Sequence, residues 1–495
     1  MDKQETVRGK MLNAAKWSIG AEIFAKLITP FTSMILSRIL APEAFGIVAT
    51  ISIIISLADL LTDAGFSKYL VQHDFFSIGV FYEYANTAFW ANCGMSCIIW
   101  VFIAVGSPLL ADLVGARGYE MAIVAASLKL IITSITSVQR AVFQRELDYK
   151  TIFFVRMLVA FIPLVITIPL ALIGCDYWSL IIATLVNEIV YAVVLTIKSS
   201  WKPELDFKFY RLKEMLSFSA WSLFEQLTIW LSTYADIFVI SKYMSAYYLG
   251  LYKQPYQLIT NIYGVITASI FAILFSALSR FNDDSDEIGY RATLINTQKM
   301  LAIIVIPMGF GIFLYREFIT ELLLGGQWKE ASIVIGCFAL EKIIQIIINN
   351  SASEIYRSKG KPQISAVAQI IFLIILIPMC VLAVQKGFRE FVITRALMCL
   401  PFLLIHETII YRNFRINLFT IIPHIASIAT ATGIMIAAGY VLKCLVKNTF
   451  LLNMMNILIC MIVYGATLLL FKDTRKIMMG VLDNVRRRTV RFKVK

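Results

Sequence analysis

Apolar stretches of about 20 residues, the length that crosses a hydrocarbon core about 30 Å thick, follow one another through nearly the whole chain. They fall at approximately 14–37, 46–69, 81–105, 119–142, 152–173, 177–197, 216–239, 250–278, 292–314, 329–350, 364–385, 390–411, 419–443 and 450–471. Of the 495 residues, 59% are hydrophobic and 16% charged, too little polar surface to cover the core of a soluble protein of this size. The expected fold is therefore an all-α integral membrane protein of about 14 transmembrane helices. Breaks such as SPLLADLVGARG, SSWKPELDFKFYRLK, SRFNDDSDEIGYR and YRSKGKPQ separate the spans, and none is long enough for a soluble domain. The segment Met1–Lys10 is polar and has no apolar run leading to a small-residue cleavage site, so no removable signal peptide is expected.

The net charge of +13 is unevenly placed. With the N-terminus inside, cations concentrate on the inner side in KSSWKPELDFKFYRLK, YRSKGKPQ, the turn at Arg412 and Arg415, and the tail KDTRKIMMGVLDNVRRRTVRFKVK. Both termini are expected to be cytoplasmic. The loop VQHDFFSIG weakens this assignment, since nothing after Lys68 in it is cationic. A basic tail beside a last span attracts anionic lipid headgroups more simply than nucleic acid, so no nucleic-acid partner is expected. Cys93 and Cys97 have helical spacing, but the cysteines lie almost entirely inside spans, where thiols act as small apolar side chains; no metal site is expected.

Two stretches read almost alike. LSRILAPEAFG at 36–46 and ISKYMSAYYLG at 240–250 share an apolar residue, a serine, a cation (Arg38, Lys242) and a closing glycine (Gly46, Gly250). Six spans separate the copies, and an even number restores the direction of crossing, which makes the halves parallel repeats about an axis along the membrane normal. Fainter echoes follow in the same order: LVGARGYE with LLGGQWKE, and VFQRELDYK with EIYRSKGKP. The expected organisation is two pseudo-symmetric six-helix lobes, 1–200 and 201–415, around a central cavity, two further helices over 416–471, and a basic cytoplasmic tail at 472–495.

LSRILAPEAFG with the following DLLTDAGFSKYLVQ, then VQRAVFQREL, ADIFVISKYMSAYYLGLYKQPYQL, FSALSRFNDDSDE and IPMGFGIFLYREFITELLLGGQWKEA together resemble the polysaccharide transport family. That family, which includes O-antigen and exopolysaccharide repeat-unit flippases, belongs to the multidrug/oligosaccharidyl-lipid/polysaccharide flippase superfamily. The resemblance implies a multi-pass protein of the bacterial inner membrane that moves undecaprenyl-diphosphate-linked glycan outward during lipopolysaccharide, capsule or exopolysaccharide synthesis. It covers nearly the whole chain and says least about the last spans and tail.

A charge at the centre of a span costs about 2.5–3.5 kcal/mol even on the lenient insertion scale, so the charges present should face a wet cavity or a partner. Glu22 and Lys26 are four apart in the first span and could neutralise each other. Asp59 and Asp63 repeat that spacing in the second span, where mutual repulsion would ready the pair to hold a proton or cation. Glu225 and Asp236, eleven apart, lie near three turns along one face and are expected to point into the same space. Lys129, Arg140, Arg156, Lys253, Glu188, Glu341 with Lys342, and Arg395 complete the set.

We assign Lys26, Lys129, Arg140, Arg156 and Lys253 to attraction of the diphosphate headgroup, and Glu22, Asp59, Asp63, Glu225 and Asp236 to ion coupling or gating. Plainer roles compete: Arg156, Lys253 and Arg395 could snorkel, Glu22 with Lys26 could be a structural pair, and Asp63 could cap the turn TDAGF. In-span prolines, Pro163, Pro307 and Pro401 among them, could serve as hinges or static kinks. Trp17, Trp178 and Trp328 are expected as interface anchors.

No cofactor is expected beyond an exchangeable proton or sodium ion, and the partners are lipid-linked glycan, membrane lipids and polysaccharide biosynthesis proteins. Enzyme signatures such as GxxxxGK, HExxH and GxSxG are absent, so the chain is not expected to be an enzyme. The alternatives are a cation-coupled drug exporter of the same superfamily and a membrane glycan polymerase or ligase using the same carrier.

Overall fold

The computed structural model describes residues 17, 20, 24, 28–63, 65–278, 287–361, 363–445, 449–471 and 473–475, with side chains within 217–225 and 268–277 described only in part. Among these residues the chain is helical without strands. Helical residues 28–39 (α1) lead to Pro42–Asp63 (α2), Phe66–Gln72 (α3), Ile78–Leu113 (α4) and Glu120–Arg145 (α5). Tyr149–Ala160 (α6) passes through a π-turn, Pro163–Thr167, into Ile168–Leu172 (α7), followed by Asp176–Lys198 (α8), Phe209–Tyr243 (α9) and Ala246–Leu278 (α10). Then come Glu287–Leu314 (α11), Arg316–Leu324 (α12), Ser332–Ile344 (α13), Asn350–Ser358 (α14) and Gln363–Val384 (α15). Phe388–Leu397 (α16), Cys399–Phe414 (α17), Ile422–Leu445 (α18) and Phe450–Leu470 (α19) complete the order.

Ten helical segments among the described residues are long and apolar enough to cross a membrane, and the protein is multi-pass. The expected number of fourteen is not reached by that measure. The first expected span, 14–37, lies partly outside the described residues. The span at 390–411 is divided into α16 and α17 by a turn at Met398. Pro401 has no N–H for the Leu397 carbonyl, which favours a break at this point. α9 and α10, with 35 and 33 residues, are about 50 Å long and reach across a bilayer by length.

The chain forms two compact units, Met1–Ala268 with Leu373–Phe391, and Ser269–Phe372 with Val392–Lys495. In the first, α2, α4, α5 and α8 bury Ile47, Ile51, Ile103, Ile123, Leu130 and Ile181 against one another. The two glycines that close the repeated stretches sit where α2 and α10 cross. A Cβ on Gly46 would lie 1.7 Å from the Ala246 carbonyl oxygen, and one on Gly250 would lie 1.7 Å from that of Pro42. Only residues without a side chain allow backbones to meet this way. Beside the crossing, Gly115 turns with φ +71° under the Ser241 carbonyl, and Lys242 Nζ donates to the Asp112 carbonyl at 3.0 Å.

Two prolines, Pro108 from an expected break and Pro307 from an expected hinge or kink, lie inside continuous helices because side chains satisfy the carbonyls they strand. Pro108 cannot donate to the Ala104 carbonyl, which instead accepts from Ser107 Oγ at 3.0 Å, so α4 runs on to Leu113 through SPLLADL. In the second unit Pro307 strands the Ile303 carbonyl, which accepts from Tyr464 OH at 2.7 Å. Trp328, expected as an interface anchor, is instead wholly buried beside the glycine turn in GGQW.

The polar stretch after α8 is strapped to α4. Trp90 Nε1 donates to the Glu204 carbonyl at 2.8 Å, the Lys208 backbone N–H donates to Thr87 Oγ1 at 3.2 Å, and Lys208 Nζ lies 2.7 Å from Glu83 Oε1. The hydrogen bond to Glu83 holds the Lys208 ammonium above its ordinary range. Arg211 joins the same carboxylate at 3.3 Å.

Candidate functional site: a polar chamber in the first unit

Helices α2, α5 and α8 carry their in-span charges on facing sides, α9 adds the uncharged Gln226 and Tyr234, and the space between is not filled. A cavity of about 370 Å³ is walled by Asp59 and Asp63 from α2, Lys129, Thr133 and Arg140 from α5, and Glu188 from α8. A smaller one of about 170 Å³ shares Asp59 and Lys129 with it and adds Ser56, Thr184 and Tyr234. A third, about 470 Å³, shares Asp63 and Arg140 and brings in Lys68, Gln144 and Arg156. The fourth, about 700 Å³, shares Arg156 and has a largely apolar wall, including Leu36, Phe45 and Leu180, into which Thr167, Asn187, Gln254, Gln257 and Lys253 bring polar groups. Shared wall residues join these into one chamber within a membrane-spanning unit, polar around Lys129 and Arg140 and more apolar in its widest part.

Lys129 is the hub of the charges. Its Nζ lies 3.5 Å from Asp59 Oδ2 and 3.9 Å from Glu188 Oε1, and Thr133 Oγ1 donates to Asp59 Oδ1 at 3.2 Å. The three side chains are 22–31% exposed, open to the chamber yet shielded from bulk solvent. Asp63 closes α2 and accepts from Ser67 Oγ at 2.6 Å across the turn at Gly65, whose φ is +82°. It therefore serves the turn and lines the chamber at once. Lys253 Nζ stands 5.6 Å from the Tyr234 ring centre, a cation–π contact. Arg156 is exposed to the cavities and has no carboxylate partner among the described residues.

Six of the ten sequence-derived site residues thus line one space: Asp59, Asp63, Lys129, Arg140, Arg156 and Lys253. Asp236 does not join them in these walls. It is 3% exposed, with Oδ2 accepting from Tyr252 OH at 2.6 Å and Oδ1 from the Ile237 backbone N–H at 2.8 Å, so it ties α9 to α10. Helical periodicity fixed its face but not the tyrosine opposite. The Glu225 side chain and both Glu22 and Lys26 lie outside the described residues. The Asp59–Asp63 pair is also not isolated, because Lys129 from another helix stands against Asp59.

Sequence reasoning assigned no role to Glu188, although its depth in a span was the same signal that marked the others. Lys68, Gln226, Asn187 and Tyr234 were also missed as wall residues. Polar uncharged side chains in a span carry no depth penalty large enough to single them out. In the second unit, Glu341 and Lys342 are buried side by side, Nζ to Oε2 3.5 Å, with Gln345 accepting from the ammonium.

Fold and chamber define a multi-pass helical membrane protein with a charged polar cavity inside one of its units. A family model described as polysaccharide biosynthesis protein matches residues 35–333, and the chain belongs to that family. It is 21% identical over 388 residues to the lipopolysaccharide biosynthesis protein WzxC of Escherichia coli strain K12, covering 77% of both chains. It is 25% identical over 328 residues to the succinoglycan biosynthesis transport protein ExoT of Rhizobium meliloti strain 1021, covering 66% of this chain and 65% of that one. Among solved structures, lipid II flippase MurJ in an inward closed conformation superposes with TM-score 0.77 at 14% identity, over 94% of this chain and all of the other. An inward-facing multidrug resistance transporter of the MATE family gives TM-score 0.58 at 15% identity, over 78% of this chain and 95% of that one. These structural likenesses establish the fold.

Proposed function

We propose that the protein is a flippase that carries undecaprenyl-diphosphate-linked oligosaccharide repeat units from the cytoplasmic to the outer leaflet of the bacterial inner membrane by alternating access. The observation that carries this reading is the chamber: cations and carboxylates from α2, α5, α6, α8 and α10 face one polar space inside a membrane-spanning unit. A diphosphate needs cations, and Lys129, Arg140, Arg156 and Lys253 supply them; sugars need hydrogen-bonding and stacking groups, and Asn187, Gln254, Gln257 and Tyr234 supply those. The prenyl chain remains in lipid, and no covalent bond changes. Family membership and relatives named for lipopolysaccharide biosynthesis and succinoglycan transport support the same cargo class.

The excess of cations at the inner ends of the spans supports cytoplasmic termini, and the in-span carboxylates support coupling to a proton or sodium gradient. The test is reconstitution into liposomes with a fluorescent lipid-linked oligosaccharide. Movement of the unaltered lipid between leaflets is the expected result. New glycosidic bonds would instead make the protein a polymerase or ligase, and cation-driven movement of a small-molecule drug with no lipid transfer would make it a drug exporter.

A further inference from the structure

The chamber's internal counter-ions carry an inference that rests on the reading above, in which the chamber receives a phosphate anion. Lys129 stands between carboxylates of two other helices, 3.5 Å from Asp59 and 3.9 Å from Glu188, and among the described residues its ammonium donates no hydrogen bond. An ammonium has three N–H donors, so Lys129 is restrained by charge alone and keeps its donors for an incoming oxygen. The two carboxylates are not equivalent. Asp59 also accepts from Thr133, whereas Glu188 has no hydrogen bond among the described residues. Two carboxylates share the one ammonium, so a further anion arriving at Lys129 competes with them for its charge.

We propose that Lys129 is an exchangeable cation: a phosphate oxygen of the headgroup displaces Glu188 from it, and Glu188 takes a proton from chamber water as it is displaced. One O–H bond forms on the Glu188 carboxylate and one bond to hydrogen breaks on the buffer acid that delivers the proton through chamber water, leaving its conjugate base in bulk solution; no electrons are exchanged, and departure of the headgroup reverses both steps. The ionisable groups facing Glu188 are Asp59 and Asp63 from α2, Lys129 and Arg140 from α5, and Tyr191 on its own helix. Arg156 from α6, Lys68 from α3 and Lys253 from α10 line the adjoining cavities, while α4 and α9 present the uncharged Asn92 and Gln226. With Arg140 and these outer cations engaged by the rest of the diphosphate, the displaced carboxylate is left without a counter-ion and a proton supplies the balance. By linkage, protonation of Glu188 tightens headgroup binding by the same factor that headgroup binding favours protonation.

The experiment uses the full chain in lipid nanodiscs and a short-chain prenyl diphospho-N-acetylglucosamine, a diphosphate diester whose charge is fixed over the range tested. Calorimetry in two buffers of different ionisation enthalpy counts protons taken up on binding. About one proton per bound ligand is expected, with affinity falling about tenfold per pH unit once free Glu188 is ionised. Glu188→Gln should bind without proton uptake or pH dependence, while Glu188→Asp, which keeps a carboxyl group, should retain both. Lys129→Gln should weaken binding at least about tenfold, and Lys129→Arg should restore it.

A second arm with UDP-N-acetylglucosamine, a diphosphate diester of the same sugar with uridine in place of the prenyl chain, identifies the source of the anion. Weaker binding than the prenylated probe assigns the site to a lipid headgroup, and equal binding supports exchange at Lys129 with a free diester. Binding without proton uptake, or uptake unchanged in Glu188→Gln, overturns the exchange and leaves the carrier reading standing. No binding of either probe at any pH overturns both.

Discussion

At the level of single residues, charge inside a span marks where work is done, but its partner decides what work. Asp63 and Asp236 carry the same carboxylate, yet Asp63, at the end of α2, lines the chamber, while Asp236, inside α9, accepts from Tyr252 and a backbone N–H. Asp63→Asn keeps the shape and can still accept from Ser67, so membrane insertion should be unaffected while lipid flux falls several-fold. Flux equal to the parent protein would remove Asp63 from the mechanism. Lys342 and Glu341 are a different case, with 4% and 5% of their side chains exposed. Removing one partner of a buried pair strands the other, so Lys342→Met should cost about 3–5 kcal/mol, and adding Glu341→Gln should recover part of the loss. Thermal unfolding of the detergent-solubilised protein reads both variants.

At the level of elements, the repeated stretches earn a physical explanation from the crossing of α2 and α10. Gly46 and Gly250 are required because each faces the carbonyl of the other helix's first turn. Gly46→Ala would need the helices to part by roughly 1.5 Å to restore van der Waals contact, and overpacking of this kind costs about 1–3 kcal/mol. The expected readout is a lower melting temperature together with reduced flux, and a variant with parent-like melting would show that the crossing is loose. The second echo also has a local cause, since Gly115 and Gly325 both hold positive φ, +71° and +97°. The third does not extend to function: Arg145 donates to the Leu70 and His73 carbonyls, whereas Arg357 pairs with Glu354 within its own helix. Shared spacing carried the glycine geometry, which is a property of the backbone, but not the arginine contacts, which depend on neighbours from other elements.

At the level of the whole molecule, the parity of the span count decides whether the two ends emerge on the same side, and the placement of the cations decides which side that is. An even number of crossings places both termini together, and reporter fusions at Met1 and Lys495 should both signal from the cytoplasm; opposite signals would mean an odd count. The sequence by itself determined that the chain is a helical membrane protein, because lipid leaves no alternative for apolar runs of this length, and it identified most of the chamber's charges from the cost of burying them. It also located the glycines whose backbone geometry no other residue can replace. Only the tertiary structure decided that Asp59 and Glu188 share Lys129, that Asp236 is tied to Tyr252, and that Ser107 and Tyr464 repair the helices around Pro108 and Pro307. The reason is physical: hydrophobicity and helical period are properties of one segment in lipid, whereas a hydrogen bond or ion pair between spans exists only once their faces have been brought together.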